Sequence, residues 1–207
     1  MDLHDKVVLI TGGSHGLGLA LARRFAQEDT KLVLCARSKE KLDRAAEDLA
    51  RTGAEVFTAA CDVSDRLQVE ALVTAALDHF SRIDVLVNNA GIIHVGPIDA
   101  TTIEDFEEAM RVMFWGTVYT TMAVLPHMRG RERRIVNITS IGAKVSVSPP
   151  RAIQLRKICR GCIFRGHACR IMRHRSESCN YRGGTHAYRT VPERAVQERR
   201  GRRRGVV

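Results

Sequence analysis

The 207-residue chain has no run of about 18 uninterrupted apolar residues, which excludes a membrane-spanning helix. It also shows no basic leader followed by an apolar stretch. Met1-Asp2-Leu3-His4-Asp5 passes straight into the strand-like Lys6-Val7-Val8-Leu9-Ile10, so no secretory signal is read and the expected location is the cytoplasm. The last 59 residues lack Asp altogether and hold one Lys against 15 Arg. That imbalance makes the overall charge of +10 misleading. Residues 1–148 carry 17 basic and 20 acidic side chains, a net of −3, whereas residues 149–207 carry 16 and 3, a net of +13. Cysteines divide as unevenly, with Cys35 and Cys61 in the first segment and Cys159, Cys162, Cys169 and Cys179 in the second. At 44% hydrophobic residues the chain can bury a core, so wholesale disorder is excluded. Two segments of different origin are expected: a domain over 1–148 and an Arg-rich tail over 149–207.

In the first segment, short apolar runs alternate with helix-period patterns. Strands are expected at 7–10, 32–35, 56–59, 83–87 and 135–138, each a run of four or five residues that suits a parallel sheet buried on both faces. Helices are expected at about 16–28, 39–51, 65–81 and 103–128, joined by right-handed crossovers. The fold class is therefore α/β, a doubly wound parallel sheet cut short after about its fifth strand.

The first strand leads into Thr11-Gly12-Gly13-Ser14-His15-Gly16-Leu17-Gly18. Glycines at the end of a strand and the start of a helix let the backbone turn tightly and approach a pyrophosphate, while free amides of the helix start face the anion. The plain alternative is a glycine-rich turn with no ligand. At the end of the second strand, where an acidic residue would accept bonds from the ribose of NAD, the chain has Ala36-Arg37-Ser38. Arg37 can make charge-assisted bonds to a 2′-phosphate, and His15 can add a donor. This favours NADP(H), with NAD the alternative. An exposed Arg after a strand can also be only a solvated charge. Cys61-Asp62-Val63-Ser64-Asp65 and Val87-Asn88-Asn89-Ala90-Gly91 fall at two further strand ends. There, Asp62 or Ser64 can cap a helix, with Ser64 the expected cap, and Asn89 can be a turn residue.

Thr11-Gly-x-x-x-Gly16-x-Gly18, Asp62-Val63, Asn88-Asn89-Ala90-Gly91 and Arg134-Ile135-Val136-Asn137-Ile138-Thr139-Ser140 together resemble the short-chain dehydrogenase/reductase family, over about residues 5–147. The resemblance implies a Rossmann-type domain in which Gly12, Gly16 and Gly18 cradle the pyrophosphate, with Ser14, His15 and Leu17 of the same turn also expected to bind the cofactor. It also implies that Asp62 and Val63 meet the adenine and that Asn89, Ala90 and Gly91 lie against the cofactor, while the strand-end reading above puts Arg37 and Ser38 at its ribose end. Ser140 corresponds to the catalytic serine that holds the substrate oxygen. The implied reaction is NADP(H)- or NAD-dependent hydride transfer with a small alcohol or carbonyl substrate, in a family that is often homo-oligomeric. Two positions depart from the pattern. Met113 stands where the family has a relay Asn, and Ile153 stands where it has the catalytic Tyr, although Lys157 keeps the Lys position. A chain lacking that Tyr is expected to be inactive.

After Pro149-Pro150 the alternation stops and no further strand is convincing. Read one base out of frame with permitted codons, positions 153–157 become Tyr-x-x-x-Lys and lead into an amphipathic helix, and positions 175–181 become a buried strand. A frameshift near codon 148 is therefore the expected origin of the tail, which should be disordered. Taken at face value, Cys159-x-x-Cys162 with His167, Cys169, His174 and Cys179 is an irregular zinc pattern without a second Cys-x-x-Cys. No metal is expected. The +13 charge would hold nucleic acid non-specifically, and a nucleotide-binding module with a basic nucleic-acid arm is the alternative function.

Overall fold

The computed structural model describes residues 2–97, 100–128, 133–139 and 152–155. The chain divides into two units, Met1–His174 and Arg175–Val207, and every described residue belongs to the first.

Five strands form one parallel sheet in the order β3-β2-β1-β4-β6: β1 (Val7–Thr11), β2 (Lys31–Ala36), β3 (Val56–Ala60), β4 (Val85–Asn88) and β6 (Arg134–Asn137). Every residue of β1 and β4 is buried, as expected of runs covered on both faces, while the edge strands β3 and β6 are only partly covered. Because side chains alternate along a strand, each strand feeds two cores. Val8, Ile10, Leu32 and Leu34 pack on one face with Ala22 of α1 (Gly16–Ala26) and Leu42 and Leu49 of α2 (Lys39–Ala50). Val7, Leu9 and Val33 pack on the other with Val69, Leu72, Val73 and Ala76 of α3 (Arg66–Phe80) and Val124 of α5 (Gly116–Val124). The doubly wound α/β architecture expected from the apolar runs is present, and strand boundaries shift by one or two residues.

Two elements differ from expectation. The single helix expected over 103–128 is α4 (Ile103–Met110), a π-helical turn (Arg111–Trp115), α5 and a 3₁₀ turn (Leu125–Met128). Thr117 and Thr120 hydroxyls bond back to the carbonyls of Met113 and Gly116 at 2.9 and 2.8 Å, and such back-bonding bends helices. Pro126, without an N–H, lies in the 3₁₀ turn that ends the segment. Secondly, a strand does follow Pro150: β7 (Ala152–Leu155) pairs antiparallel with β5 (His94–Pro97), with Ile153 opposite Gly96. Its four residues are too short to show a period against arginine-rich neighbours, and its partner lies far away in sequence. The expectation of no strand in this stretch was wrong for these residues.

At the amino-terminal edge of the sheet, Asp84 is 1% exposed and gathers three elements. It accepts the Val7 N–H at 3.0 Å, pairs with Arg82 at 2.8 Å, and pairs with Arg133, which also donates to the Ile83 carbonyl at 2.6 Å. Burial pushes this carboxyl up, but the bonds from Arg82, the Val7 amide and Arg133 outweigh it and hold it below the ordinary value of 3.8. Its contribution to stability is therefore complete above the unfolded value and is lost as the pH falls below about 3.8 through the depressed folded value. Asp84→Ala removes the carboxylate that pairs with the buried guanidinium of Arg133 and is expected to cost about 3–5 kcal/mol in urea unfolding. An unchanged midpoint would show that the network does not hold the sheet edge.

Candidate functional site

Strand order reverses between β1 and β4. From β1 the chain moves outward through β2 to β3, then crosses to β4 on the other side of β1, and a crevice opens at the carboxyl ends of these two strands. The predicted residues collect along this edge. Gly12 to Gly18 form the turn after β1, Arg37 and Ser38 follow β2, Asp62 and Val63 follow β3, and Asn89, Ala90 and Gly91 follow β4.

The turn after β1 is held from both sides. The N–H groups of Gly12 and Gly13 donate to the Cys35 carbonyl of β2 at 2.8 and 3.1 Å. From the β4 side, the Asn89 side-chain amide donates to the carbonyls of Thr11 and Gly12 at 3.0 and 3.1 Å. In return, the Thr11 hydroxyl accepts the N–H groups of Asn89 and Ala90, both at 3.0 Å, and donates to the Val87 carbonyl at 3.4 Å. Asn89 thus locks the turn, and Thr11, which sequence reasoning used only as a motif marker, is the other half of the lock. The signal was present as a polar residue ending an otherwise apolar strand.

Glycine is required here for two different reasons. Gly12 has φ +67°, and a Cβ on it would lie 2.9 Å from the Ala90 Cα. A Cβ on Gly18 would strike the Gly12 carbonyl oxygen, so only glycine lets α1 pack this close to the turn. Above Gly16 the space is open, with nothing within 4 Å of a Cβ placed there. α1 starts at that open point without a side-chain cap and with no acidic residue in its first turn. By contrast α2, α3 and α4 are capped by Ser38, Asp65 and Thr102. The amides opening α1 therefore face an uncovered space, the arrangement that receives an anion. Leu17 is exposed and His15 reaches the Ser14 hydroxyl through Nδ1 at 3.1 Å.

At the neighbouring strand ends the roles divide. Ser38 caps α2, accepting the Lys41 N–H at 3.3 Å, while Arg37 is exposed. Asp62 accepts the N–H and hydroxyl of Ser64 at 2.9 and 2.8 Å, so Ser64 is a donor to Asp62. The cap of α3 is Asp65, not Ser64 as expected, because the Asp65 carboxylate reaches the N–H groups of Leu67 and Gln68. The Val63 side chain is buried, and a Cβ on Gly116 would come within 2.7 Å of it, so it fixes α5 against the sheet. Arg37, Asp62, Ser64, Glu104, Arg111 and Val112 are among the residues around an open pocket of about 380 Å³.

Deeper in the crevice, Asn88 joins three elements: its side-chain amide accepts the Thr120 hydroxyl at 2.6 Å and donates to the Thr121 hydroxyl at 3.2 Å and to the Asn137 side-chain Oδ1 at 2.9 Å. Sequence reasoning quoted Asn88 in its motif without assigning it this work. Met113 is 1% exposed inside the π-helical turn. Ser140 and Lys157 lie outside the described residues, as do the cysteines and histidines of the tail. Among the described residues no group of three or more His, Cys, Asp or Glu is arranged to hold a metal, and no helix is long and apolar enough to cross a membrane.

A glycine turn locked at the switch point of a parallel sheet defines a nucleotide-binding class of α/β protein. The family model described as short chain dehydrogenase matches residues 6–149, and the chain belongs to that family. Over 146 residues it is 40% identical to 11-beta-hydroxysteroid dehydrogenase 1A of Arabidopsis thaliana, covering 69% of this chain and 41% of that one. A short chain dehydrogenase/reductase from Burkholderia phymatum, solved in complex with NAD, superposes with a TM-score of 0.70 at 32% identity, covering 78% of this chain and 56% of that one. An actinorhodin polyketide ketoreductase variant with NADPH gives 0.66 at 35% identity, over 69% and 56%. The chain spans about half the length of the curated relatives it matches.

Thr11→Val keeps the shape of the side chain and removes the acceptor shared by two buried amides. It is expected to cost about 1–3 kcal/mol for each amide left unpaired, read as a lower midpoint in chemical denaturation. A variant as stable as the parent would show that the lock is not needed.

Proposed function

We propose that residues 5–147 are the cofactor-binding part of an NAD(P)-dependent oxidoreductase that favours NADP(H), and that this chain as it stands does not catalyse hydride transfer. The observation that carries the first half is the uncapped start of α1 beside the open space over Gly16, next to a turn held rigid by Thr11 and Asn89. The residues present fit a dinucleotide. Gly12, Gly16 and the α1 amides would hold the pyrophosphate. Arg37 and Ser38 stand at the ribose end, Asp62 beside the adenine, and Asn89 to Gly91 along the nicotinamide half. Relatives whose structures carry NAD and NADPH support the cofactor class.

A bound nicotinamide supplies or accepts the hydride at the carbinol carbon of a small alcohol or carbonyl compound. By family resemblance Ser140 orients the substrate oxygen and Lys157 stands at the position that supports the proton donor. Position 153, where that donor belongs, is Ile153, which neither donates nor accepts a proton. Met113 likewise offers no hydrogen-bond donor in its side chain at the relay position. The family match ends at residue 149, where the charge balance of the chain also changes. A frameshift near codon 148 accounts for both. The nucleic-acid reading of residues 149–207 rests on their charge alone.

Two measurements test this reading. Sequencing the coding DNA across codons 140–180 is expected to show a gained or lost base near codon 148, with the corrected frame restoring Ile153→Tyr beside Lys157. The purified protein, its mass checked against the present sequence, is expected to give no NAD(P)H turnover with alcohols or carbonyl compounds. Robust turnover by a protein of that mass would overturn the claim of inactivity.

A further inference from the structure

Near the carboxyl ends of β2 and β3 stand two cysteines, and the ladder between the strands brings them together. Cys35 lies opposite Ala59 and Ala36 opposite Ala60, and the Cys61 N–H carries the ladder one residue further by donating to the Ala36 carbonyl at 3.0 Å. Side chains alternate along a strand, so Cys35 and Cys61 project from the same face. Both are free thiols in the core that packs under α3, at 0% and 3% exposure. Their surroundings set them apart. The hydrogen bond to Cys61, with burial, pushes the Cys35 thiol well above its ordinary value of 9.0, so it keeps its proton. The same bond from Cys35 pulls Cys61 below 9.0, against burial and the carboxylates of Asp62 and Asp65. One thiol is thus the readier nucleophile and the other its proton-bearing neighbour. Asp62, the next residue along, lines the open pocket, so the way from solvent to Cys61 is short.

Neither sulfur is a cofactor contact in the reading above, but the backbone joins both to that site. The Cys35 carbonyl accepts the Gly12 and Gly13 N–H groups at 2.8 and 3.1 Å and so holds the glycine turn from the β2 side. With strands about 4.8 Å apart and a rise of about 3.3 Å per residue, Cα atoms two positions out of register stand about 8 Å apart. A disulfide takes a Cα spacing of about 4.4–6.8 Å. Joining the two sulfurs therefore draws the strand ends together. The Cys35 carbonyl then shifts against Gly12 and Gly13, and Asp62 shifts with Cys61.

We propose that Cys35 and Cys61 form a dithiol switch: a hydroperoxide converts them to a disulfide, and the displaced strand ends loosen the glycine turn and weaken nucleotide binding. The Cys61 thiolate attacks one peroxide oxygen and becomes a sulfenic acid as hydroxide leaves. The Cys35 sulfur then attacks the Cys61 sulfur, giving up its proton as water departs. Overall two thiols are oxidised to one disulfide and the peroxide is reduced to two waters. A dithiol reductant reverses the change, because a disulfide that strains its surroundings is readily reduced. The weaker nucleotide binding rests on the nucleotide reading above, whereas the disulfide and its effect on the turn do not.

A full-length variant with Cys159, Cys162, Cys169 and Cys179 each changed to Ser leaves Cys35 and Cys61 as its only thiols. After hydrogen peroxide, peptide mapping should find these two joined and the intact mass lower by two hydrogens. Hydrogen exchange at the Gly12 and Gly13 amides should quicken by about 10-fold or more, as expected for the loss of two backbone bonds, and NADPH affinity should fall by a similar factor. Dithiothreitol should restore both. Cys61→Ala in the same background, or Cys61→Ser where the alanine variant folds poorly, should bind NADPH equally before and after peroxide. Thiols that stay reduced, or oxidise singly without joining, overturn the inference and leave the nucleotide reading standing. A disulfide that leaves the exchange or the affinity unchanged does the same. If the reduced protein binds no NADPH, the nucleotide reading falls and weakened binding falls with it, while the exchange at Gly12 and Gly13 decides the effect on the turn.

Discussion

Where β1 and β4 separate, their chains leave toward opposite faces of the sheet, and no backbone ladder spans the gap between them. The exchange between Thr11 and Asn89 fills that gap. One hydroxyl takes two amides and one side-chain amide serves two carbonyls, so each buried polar group of the turn has a partner inside the protein. With the turn fixed, the Gly12 carbonyl has a defined place, and α1 can pack against it only through Gly18. The open space at Gly16 and the uncapped amides beside it are consequences of that packing. Rigidity behind the opening is what lets a flexible-looking glycine stretch present a prepared anion site.

The two ends of the sheet handle charge in opposite ways. At the amino-terminal edge, the Asp84 carboxylate is surrounded by Arg82, Arg133 and a backbone amide, and serves structure alone. At the carboxyl edge, Arg37, Lys41 and Arg44 are exposed. Arg37, Lys41 and Arg44 make no ion pair among the described residues, although acidic side chains lie within a helical turn or a pocket wall of each. Between them, the Asn88 network ties β4 to α5 and β6 at the floor of the crevice.

Much of this was legible in the residue pattern, because buried parallel strands and amphipathic helices impose periods that survive without any partner being known. The glycine turn was legible because its residues are adjacent in sequence. What the pattern could not show were outcomes of contact. Ser64 and Asp65 are both competent caps, and only the path of the chain into α3 selects Asp65. The π-helical turn is accompanied by back-bonding of Thr117 and Thr120 and by close packing of Val63 on Gly116, pairs whose significance depends on packing. β7 needed a partner at His94–Pro97 that no local signal announces. Ser140 and Lys157 fall outside the described residues, so their placement stays with the family resemblance.

By itself, the amino-acid sequence determined the fold class, the chain order of the five strands of the parallel sheet, the nucleotide motifs and the abrupt change of composition at residue 149, all of which depend on local residue type and period. Tertiary structure decided which of those residues hold the scaffold and which stand open to solvent. Asn89 and Val63, read from the family pattern as cofactor contacts, have their side chains engaged in the protein's own lock and core. Lys41 and Arg44, which belong to no motif, are exposed and line an open pocket of about 350 Å³ beside the glycine turn. The physical reason is that a side chain is free for a ligand only when no neighbour in space has satisfied it, and neighbours in space are not written in sequence order.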